Sequence, residues 1–261
     1  LHVRRPDGQI VTLSVARAPI GQAQRIKVRP DSELLVLDGE AHRIWRVTRA
    51  GEVHSFIGED ASAPNGYTSF PAPNPGQPAG EVRFTNLIDF AIGPDDSVYL
   101  LYRSVRHPYA WGQTQVLRIG KDMRITVYWD GSSPCSTSSG GNCQVATIGG
   151  SIAVTPDGAV WLAHGNGTYW SSLKMKLPSG EVRNIASATP GSPYRIDVPA
   201  EESNAGGYGL ETDSSGSVFI TSTRQDSVAG QTWATIVLRL GGDGVLRHFA
   251  GGADPCTTLA L

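Results

Sequence analysis

Ile152-Ala-Val-Thr-Pro-Asp-Gly-Ala-Val-Trp-Leu-Ala-His164 is a short apolar run, a Pro-Asp-Gly turn and a second apolar run. The same pattern recurs without a gap as Ile26-Lys-Val-Arg-Pro-Asp-Ser-Glu-Leu-Leu-Val-Leu-Asp38, as Phe90-Ala-Ile-Gly-Pro-Asp-Asp-Ser-Val-Tyr-Leu-Leu-Tyr102, and as Leu210-Glu-Thr-Asp-Ser-Ser-Gly-Ser-Val-Phe-Ile-Thr-Ser222. The copies begin roughly 60 residues apart, and a fixed period of that kind is the mark of radial or linear repetition. The repeat therefore decides the fold class before any single residue does.

Each copy is followed by a loop and then by a second pair of alternating runs. These are Arg43 to Ile57, Val116 to Tyr128, Leu173 to Ile185 and Val237 to Phe249. Apolar and polar residues alternate within the runs while Gly, Asp, Asn and Pro separate them, which is strand periodicity with turn chemistry at its ends. Each unit is thus four antiparallel strands, A to D. One such sheet cannot bury both faces alone, whereas sheets set around an axis cover one another and leave only short edges, as in a β-propeller. The large side chain at one strand-B position, Leu35, Tyr99, Trp161 or Phe219, is expected to fill the space between blades.

The fold class read from this is all-β, a β-propeller with four complete blades and a partial one. The chain reads as one partial propeller domain over 1–261. Its complete blades lie at 24–57, 88–129, 150–185 and 208–249. The segment 1–15 has the form of a C–D hairpin from a partial blade, and 250–261 that of a linker to a further blade. Other domains of the same longer chain are expected beside it.

Bulk properties exclude several classes of function. The formal net charge is −2 and no basic stripe occurs, so no nucleic-acid partner is expected. No apolar run approaches the ~18 residues needed to cross a bilayer, so no membrane insertion is expected in this segment. Arg outnumbers Lys several-fold, as in proteins of GC-rich bacterial genomes. Phosphate-loop, Gly-x-Ser-x-Gly and His-Glu-x-x-His motifs do not occur. Asn166-Gly-Thr168 fits a glycosylation acceptor, a pattern that matters only in a eukaryotic secretory pathway.

Cys135 and Cys143 bracket a flexible Ser-Thr-Ser-Ser-Gly-Gly-Asn stretch, so they are expected to close a disulfide loop. Cys256 follows Ala-Asp-Pro where Cys135 follows Ser-Ser-Pro, which makes it the counterpart of Cys135 in a later linker. Disulfides in surface loops persist in oxidising compartments, so the expected location is extracellular, periplasmic or on the cell surface. Three free thiols in a cytosolic protein are the alternative.

The repeats, with their Pro-Asp-Gly turns and the Asp38-Gly-Glu-Ala-His-Arg-Ile-Trp-Arg-Val stretch, resemble NHL repeats of six-bladed, TolB-like β-propellers. That resemblance implies six blades in all and a role as a sensor module, as part of a large cell-surface protein or as a receptor. The family's Asp at the end of strand B stands here only as Asp38, with Tyr102, His164 and Ser222 at the other copies. Gluconolactonase-type lactonases share this architecture and take metal ligands from Asn or Asp before strand A. The aligned positions here hold Gln24, Ile88, Gly150 and Tyr208. Streptogramin lyases carry Trp-Phe-Thr-Glu on strand B, of which Trp161-Leu-Ala-His164 keeps the Trp alone.

Tight A–B and C–D turns contrast with long B–C loops (39–42, 103–115, 165–172, 223–236) and long D–A linkers (58–85, 130–149, 186–207). These loops and linkers are expected on one face, the usual place for binding residues on a rigid scaffold. Tyr67, Phe70, Tyr109, Trp111, Tyr169, Trp170, Tyr194, Tyr208 and Trp233 fall there, either to grip a protein or carbohydrate ligand or to pin the loops down. Polar candidates lie at strand ends, and a cluster of them at a channel mouth could bind a divalent cation. The candidate ligand-binding residues are Asp38, His42, Asp89, Tyr102, Trp111, His164, Asn166, Tyr208, Glu211 and Trp233. No catalytic residue is assigned and no resident cofactor is expected, with a divalent cation such as calcium as the alternative. The reading is a non-catalytic recognition or scaffold module, set against a metal-dependent lactonase or lyase with its site at the channel mouth.

Overall fold

In the computed structural model, residues 2–4, 10–12, 20–59, 73–84, 86–103, 114–129, 150–165, 171–188, 195–203, 207, 209–226 and 232–251 are described. They form two compact units, Leu1–Cys135 and Ser136–Leu261.

The first unit opens with a two-stranded hairpin, β1 (His2–Arg4) and β2 (Ile10–Thr12). Its first blade is β3 (Ala23–Val28), β4 (Leu34–Asp38), β5 (Arg43–Val47) and β6 (Val53–Ile57), paired in chain order. Its second blade is β7 (Leu87–Ile92), β8 (Val98–Arg103), β9 (Thr114–Ile119) and β10 (Ile125–Trp129). The second unit holds the third blade, β11 (Gly150–Val154), β12 (Val160–Gly165), β13 (Ser171–Lys176) and β14 (Val182–Ala188). After the short β15 (Val198–Pro199) comes the fourth blade, β16 (Gly209–Thr212), β17 (Val218–Asp226), β18 (Thr232–Leu240) and β19 (Val245–Gly251). All pairings within the four blades are antiparallel, so the fold class read from the repeat is the one observed.

The turns show why the repeat is so regular. The equivalent A–B position is left-handed in every blade, with φ of 67° at Ser32, 64° at Asp96, 83° at Gly158 and 84° at Gly216. The C–D turns repeat this at Gly51, Met123, Gly180 and Gly244. An acid one residue before the left-handed A–B position closes the turn: Asp31 accepts from the Glu33 N–H at 3.0 Å, Asp95 from Ser97 and Asp157 from Ala159, both at 3.2 Å. In the fourth blade the acid stands two places earlier, and Asp213 accepts from both Ser215 and Ser217 at 2.9 Å. A side chain that bonds its own backbone two residues on stabilises a tight turn wherever it stands in the sequence.

Each unit buries an apolar cluster shared by its two blades. In the first, Leu35, Leu37 and Ile44 cluster with Phe90, Leu100 and Leu117. In the second, Trp161, Ala163 and Leu173 cluster with Leu210, Ile220 and Leu238. Full burial of such a side chain contributes about 1.5–3 kcal/mol, so each seam is a large stabilising contribution to its unit. Leu35, Tyr99 and Trp161 are buried as expected. Phe219 is half-buried and meets Phe249 edge-on with ring centroids 4.9 Å apart.

Three segments expected as loops are built into the sheets, in two ways. The described parts of the first and third D–A linkers run along the outer strand of the following blade. Gly76 and Ala79 donate to the carbonyls of Ile125 and Met123, and Asp197 and Ala200 to those of Leu246 and Gly244. Both then pass through Pro-Ala into a 3-10 turn, Ala79–Glu81 and Ala200–Glu202. The second difference is at 223–236. There β17 and β18 continue as a paired ribbon to Asp226↔Thr232.

The shared linker geometry shows that the blades alternate in kind. The C–D turns of the first and third blades read Gly-Glu-Val (51–53 and 180–182). The second and fourth share Val-Leu-Arg, an aliphatic residue, then Gly-x-Asp (116–122 and 237–243). The repeating element is thus a pair of blades, and each compact unit contains one pair.

Candidate functional site

Asp38 ends β4, and the chain before and after it wraps the carboxylate. Backbone N–H groups of Gly21, Gln22, Glu40 and Ala41 donate to it at 2.9–3.2 Å, and the Trp45 indole N–H donates at 3.3 Å. The side chain is fully buried. Burial pushes this carboxyl up, but the N–H groups of Gly21, Gln22, Ala41 and Glu40 outweigh it and hold the group below the usual carboxylate range. Asp38 therefore fastens the segment entering the first blade to the turn that leaves β4. All of the N–H groups that make it buried and ionised belong to the fold.

His42 sits in that turn with a left-handed backbone, φ 49°. Its Nδ1 is buried without a hydrogen-bond partner among the described residues. Burial pushes the imidazole below the usual histidine value, against the opposing pull of the Asp38 charge. Beside it the Arg43 guanidinium lies over the Trp45 ring at 4.1 Å and donates to the Ser55 hydroxyl at 2.7 Å. Asp38, His42, Arg43 and Trp45 thus form one polar knot at an end of the first blade.

The other candidates separate by environment. Asp89, on β7, is buried, accepts from the Phe90 N–H at 2.8 Å and pairs with Arg25 at 3.4 Å. Tyr102, at the end of β8, is buried in the seam of the first unit and meets Phe84 edge-on at 5.5 Å. Glu211 is exposed on β16, opposite Phe219. His164 on β12 stands opposite Gly150 and Ser172, and Trp233 on β18 stands opposite Gln225. Trp111, Asn166 and Tyr208 lie outside the described residues, as do Tyr67, Phe70, Tyr109, Tyr169, Trp170, Tyr194, Cys135 and Cys143. Among the described residues no three His, Cys, Asp or Glu side chains group as a metal site.

One feature of the repeat escaped the sequence reading. The strand-C residue opposite Leu35, Tyr99, Trp161 and Phe219 is Arg46, Arg118, Met175 and Arg239 in turn. Arg46 pairs with Glu33 at 3.6 Å and Arg118 with Asp95 at 2.6 Å, each bracing its own A–B turn. Arg239 braces its turn through the neutral hydroxyl of Ser217, at 2.9 Å and 3.2 Å. The signal was present in the alignment, where Ser217 replaces Glu33 and Ser215 replaces Asp95, but it needed the strand register to be read as one site.

No protein-family model and no curated protein matches this chain. Solved structures do. A structural genomics protein of unknown function from Bacteroides thetaiotaomicron is 13% identical over 94% of this chain and 51% of its own, with a TM-score of 0.55. A gluconolactonase from Xanthomonas campestris is 15% identical over 97% of this chain and 68% of its own, with a TM-score of 0.54. The chain spans about half the length of the first of these. At these identities the likeness is one of fold, and with the four observed blades it makes this chain a β-propeller.

Proposed function

We propose that this chain is a non-catalytic recognition or scaffold module that binds a protein or carbohydrate through its B–C side, as part of a longer extracytoplasmic protein. The observation that carries the reading is the ribbon of β17 and β18, each nine residues long. It continues four pairs past Ser222↔Ile236, to Asp226↔Thr232, whereas the described pairs with β16 and β19 reach only Thr221 of β17 and Ile236 of β18. A paired ribbon is a stiffer platform for recognition than an open loop, because less conformational freedom is lost on binding. The state of Asp38, Asp89 and Tyr102 supports the same reading, since each is buried and engaged in holding its blade. The repeat is read as NHL-like within a six-bladed, TolB-like propeller, and Cys135–Cys143 as a disulfide of an oxidising compartment.

Screening the chain against a glycan array and a displayed peptide library tests this. Saturable binding in one library, weakened by Trp233→Ala, is the expected result, and no binder from either overturns it. The metal-dependent lactonase or lyase remains the rival. Calorimetric titration with calcium, magnesium and zinc separates the two, and tight uptake abolished by Glu211→Ala or His164→Ala decides for the enzyme. Intact mass without reductant tests the compartment, two free thiols at Cys135 and Cys143 in exported protein being the adverse result.

A further inference from the structure

The C–D turn of the fourth blade carries a cleft of about 260 Å³ lined by Arg239, Gly241, Gly242, Asp243 and Arg247. Arg239 and Arg247 face each other directly across β18 and β19. The corresponding pairs elsewhere are Arg46 with His54, Arg118 with Thr126 and Met175 with Arg183, so the fourth blade alone sets two guanidinium groups opposite each other. Like charges so placed repel and cost stability unless something neutralises them.

Within the lining of the cleft the neutralisation is incomplete. Arg247 is bound by Asp243 through two contacts, at 3.0 Å and 2.6 Å. Arg239 makes no ion pair among the described residues and is held by the Ser217 hydroxyl. Asp213 is ionised and lies near enough to feel the Arg239 charge, but it does not line the cleft and its Oδ1 is held by Ser215 and Ser217. Asp197 adds to the field at Arg247 without lining the cleft. The lining therefore has two guanidinium groups to one carboxylate. A Cβ at Gly242 would meet nothing within 4 Å, so no side chain obstructs the cleft at that lining residue.

We propose that this cleft binds a small oxyanion, a phosphate, sulfate or carboxylate group, between Arg239 and Arg247. The fork of a guanidinium matches such a group, and charge-assisted hydrogen bonds of this type are about twice as strong as neutral ones. Ser217 holds Arg239 through Nε and Nη2, which leaves Nη1 to the anion. Asp243 fixes Arg247 in place but also opposes the incoming charge, so affinity is modest and falls with salt. The site lies at the C–D end of β18, and the recognition ribbon is at the other end of the same strand. The two proposals therefore stand or fall separately.

Titration of the whole chain with sodium phosphate at fixed ionic strength, followed through the arginine Nε–H resonances, tests it. The expected result is a saturable shift at both Arg239 and Arg247, with the affinity read at Arg247 about tenfold weaker in Arg239→Gln and only partly restored in Arg239→Lys. Asp243→Asn should tighten phosphate binding several-fold by removing the opposing charge, an effect that a purely structural acid would not give. Sulfate and acetate titrations then rank the oxyanions by charge. A shift that does not saturate, or one that Arg239→Gln and Asp243→Asn both leave unchanged, overturns the site. Should Arg239→Gln fail to fold, the Asp243→Asn result decides alone.

Discussion

Arg29 Nε donates to Asp96 Oδ1 at 3.2 Å, and a second guanidinium nitrogen binds Oδ2. This clasp joins the A–B turns of the first two blades. Asp96 holds a left-handed backbone at a position that is Gly158 and Gly216 in the later blades. Glycine would suit the backbone better there, so the carboxylate is present for the pairing it makes.

That exchange can be measured. Asp96→Ala loses the clasp and keeps the left-handed penalty, so it should cost about 1–2 kcal/mol in urea unfolding. Asp96→Gly loses the clasp but relieves the backbone and should stay within about 0.5 kcal/mol of the parent. Equal losses for the two variants would show that the backbone contributes nothing.

Asp38 is the acid whose removal should matter most. Asp38→Ala leaves the buried Trp45 indole and the part-buried N–H groups of Gly21, Gln22, Glu40 and Ala41 without an acceptor, and the expected loss is about 3 kcal/mol. Asp38→Asn keeps one acceptor oxygen and should lose roughly half as much. Chemical denaturation of both variants checks this. A loss below about 1 kcal/mol for the alanine variant would mean that water replaces the carboxylate.

The same knot sets a pH dependence. The folded value of His42 lies below its usual 6.5, so the unfolded chain takes the proton first and stability falls as pH drops from 6.5 toward the folded value. Asp38 and Asp95 have depressed folded values, Asp95 about 2. Their contribution is complete above the usual 3.8 and is lost as pH falls through the folded values. Thermal melts should show a shallow loss beginning near pH 6.5 and a steeper one below 3.8, and His42→Gln should remove only the first. A first stage that survives His42→Gln would assign it elsewhere.

In the second unit the A strands of its two blades are joined by hydroxyls. The buried Ser151 hydroxyl accepts from the Leu210 N–H at 3.0 Å, and Thr212 Oγ donates to the Val154 carbonyl at the same distance. Ser151→Ala orphans a buried backbone donor and should cost about 1–3 kcal/mol. Hydrogen exchange offers the direct reading, as the Leu210 amide should lose protection ahead of its neighbours. An unchanged Leu210 rate in Ser151→Ala would show that the hydroxyl does not hold that amide.

The four strands of each blade, their order and their tight A–B and C–D turns were legible in the sequence, because they depend on local chemistry, whereas the added strand β15 was not. Alternation sets the strands, and left-handed positions with a neighbouring Asp set the turns, even where Ser32, Asp96 or Met123 replaces glycine. Seam positions such as Leu35 and Trp161 were equally clear, since a repeated large side chain on a buried strand has one use.

The fate of the polar residues was not legible. Asp38 and Glu211 are both acids at strand ends, yet one accepts five N–H bonds in a buried knot and the other is exposed. What separates them is how many donors the folded chain brings to each, a quantity with no local signature. The same holds for the linkers at 76–79 and 197–200, whose backbone bonds go to strands roughly 50 residues away in sequence. It holds again for Arg239 and Arg247, ordinary alternating residues until the register sets them opposite each other. The sequence by itself determined the repeat and its turns, because neighbours along the chain decide those. Tertiary structure alone decided which charges are paired, buried or left exposed, because that depends on which distant groups the folded backbone brings together.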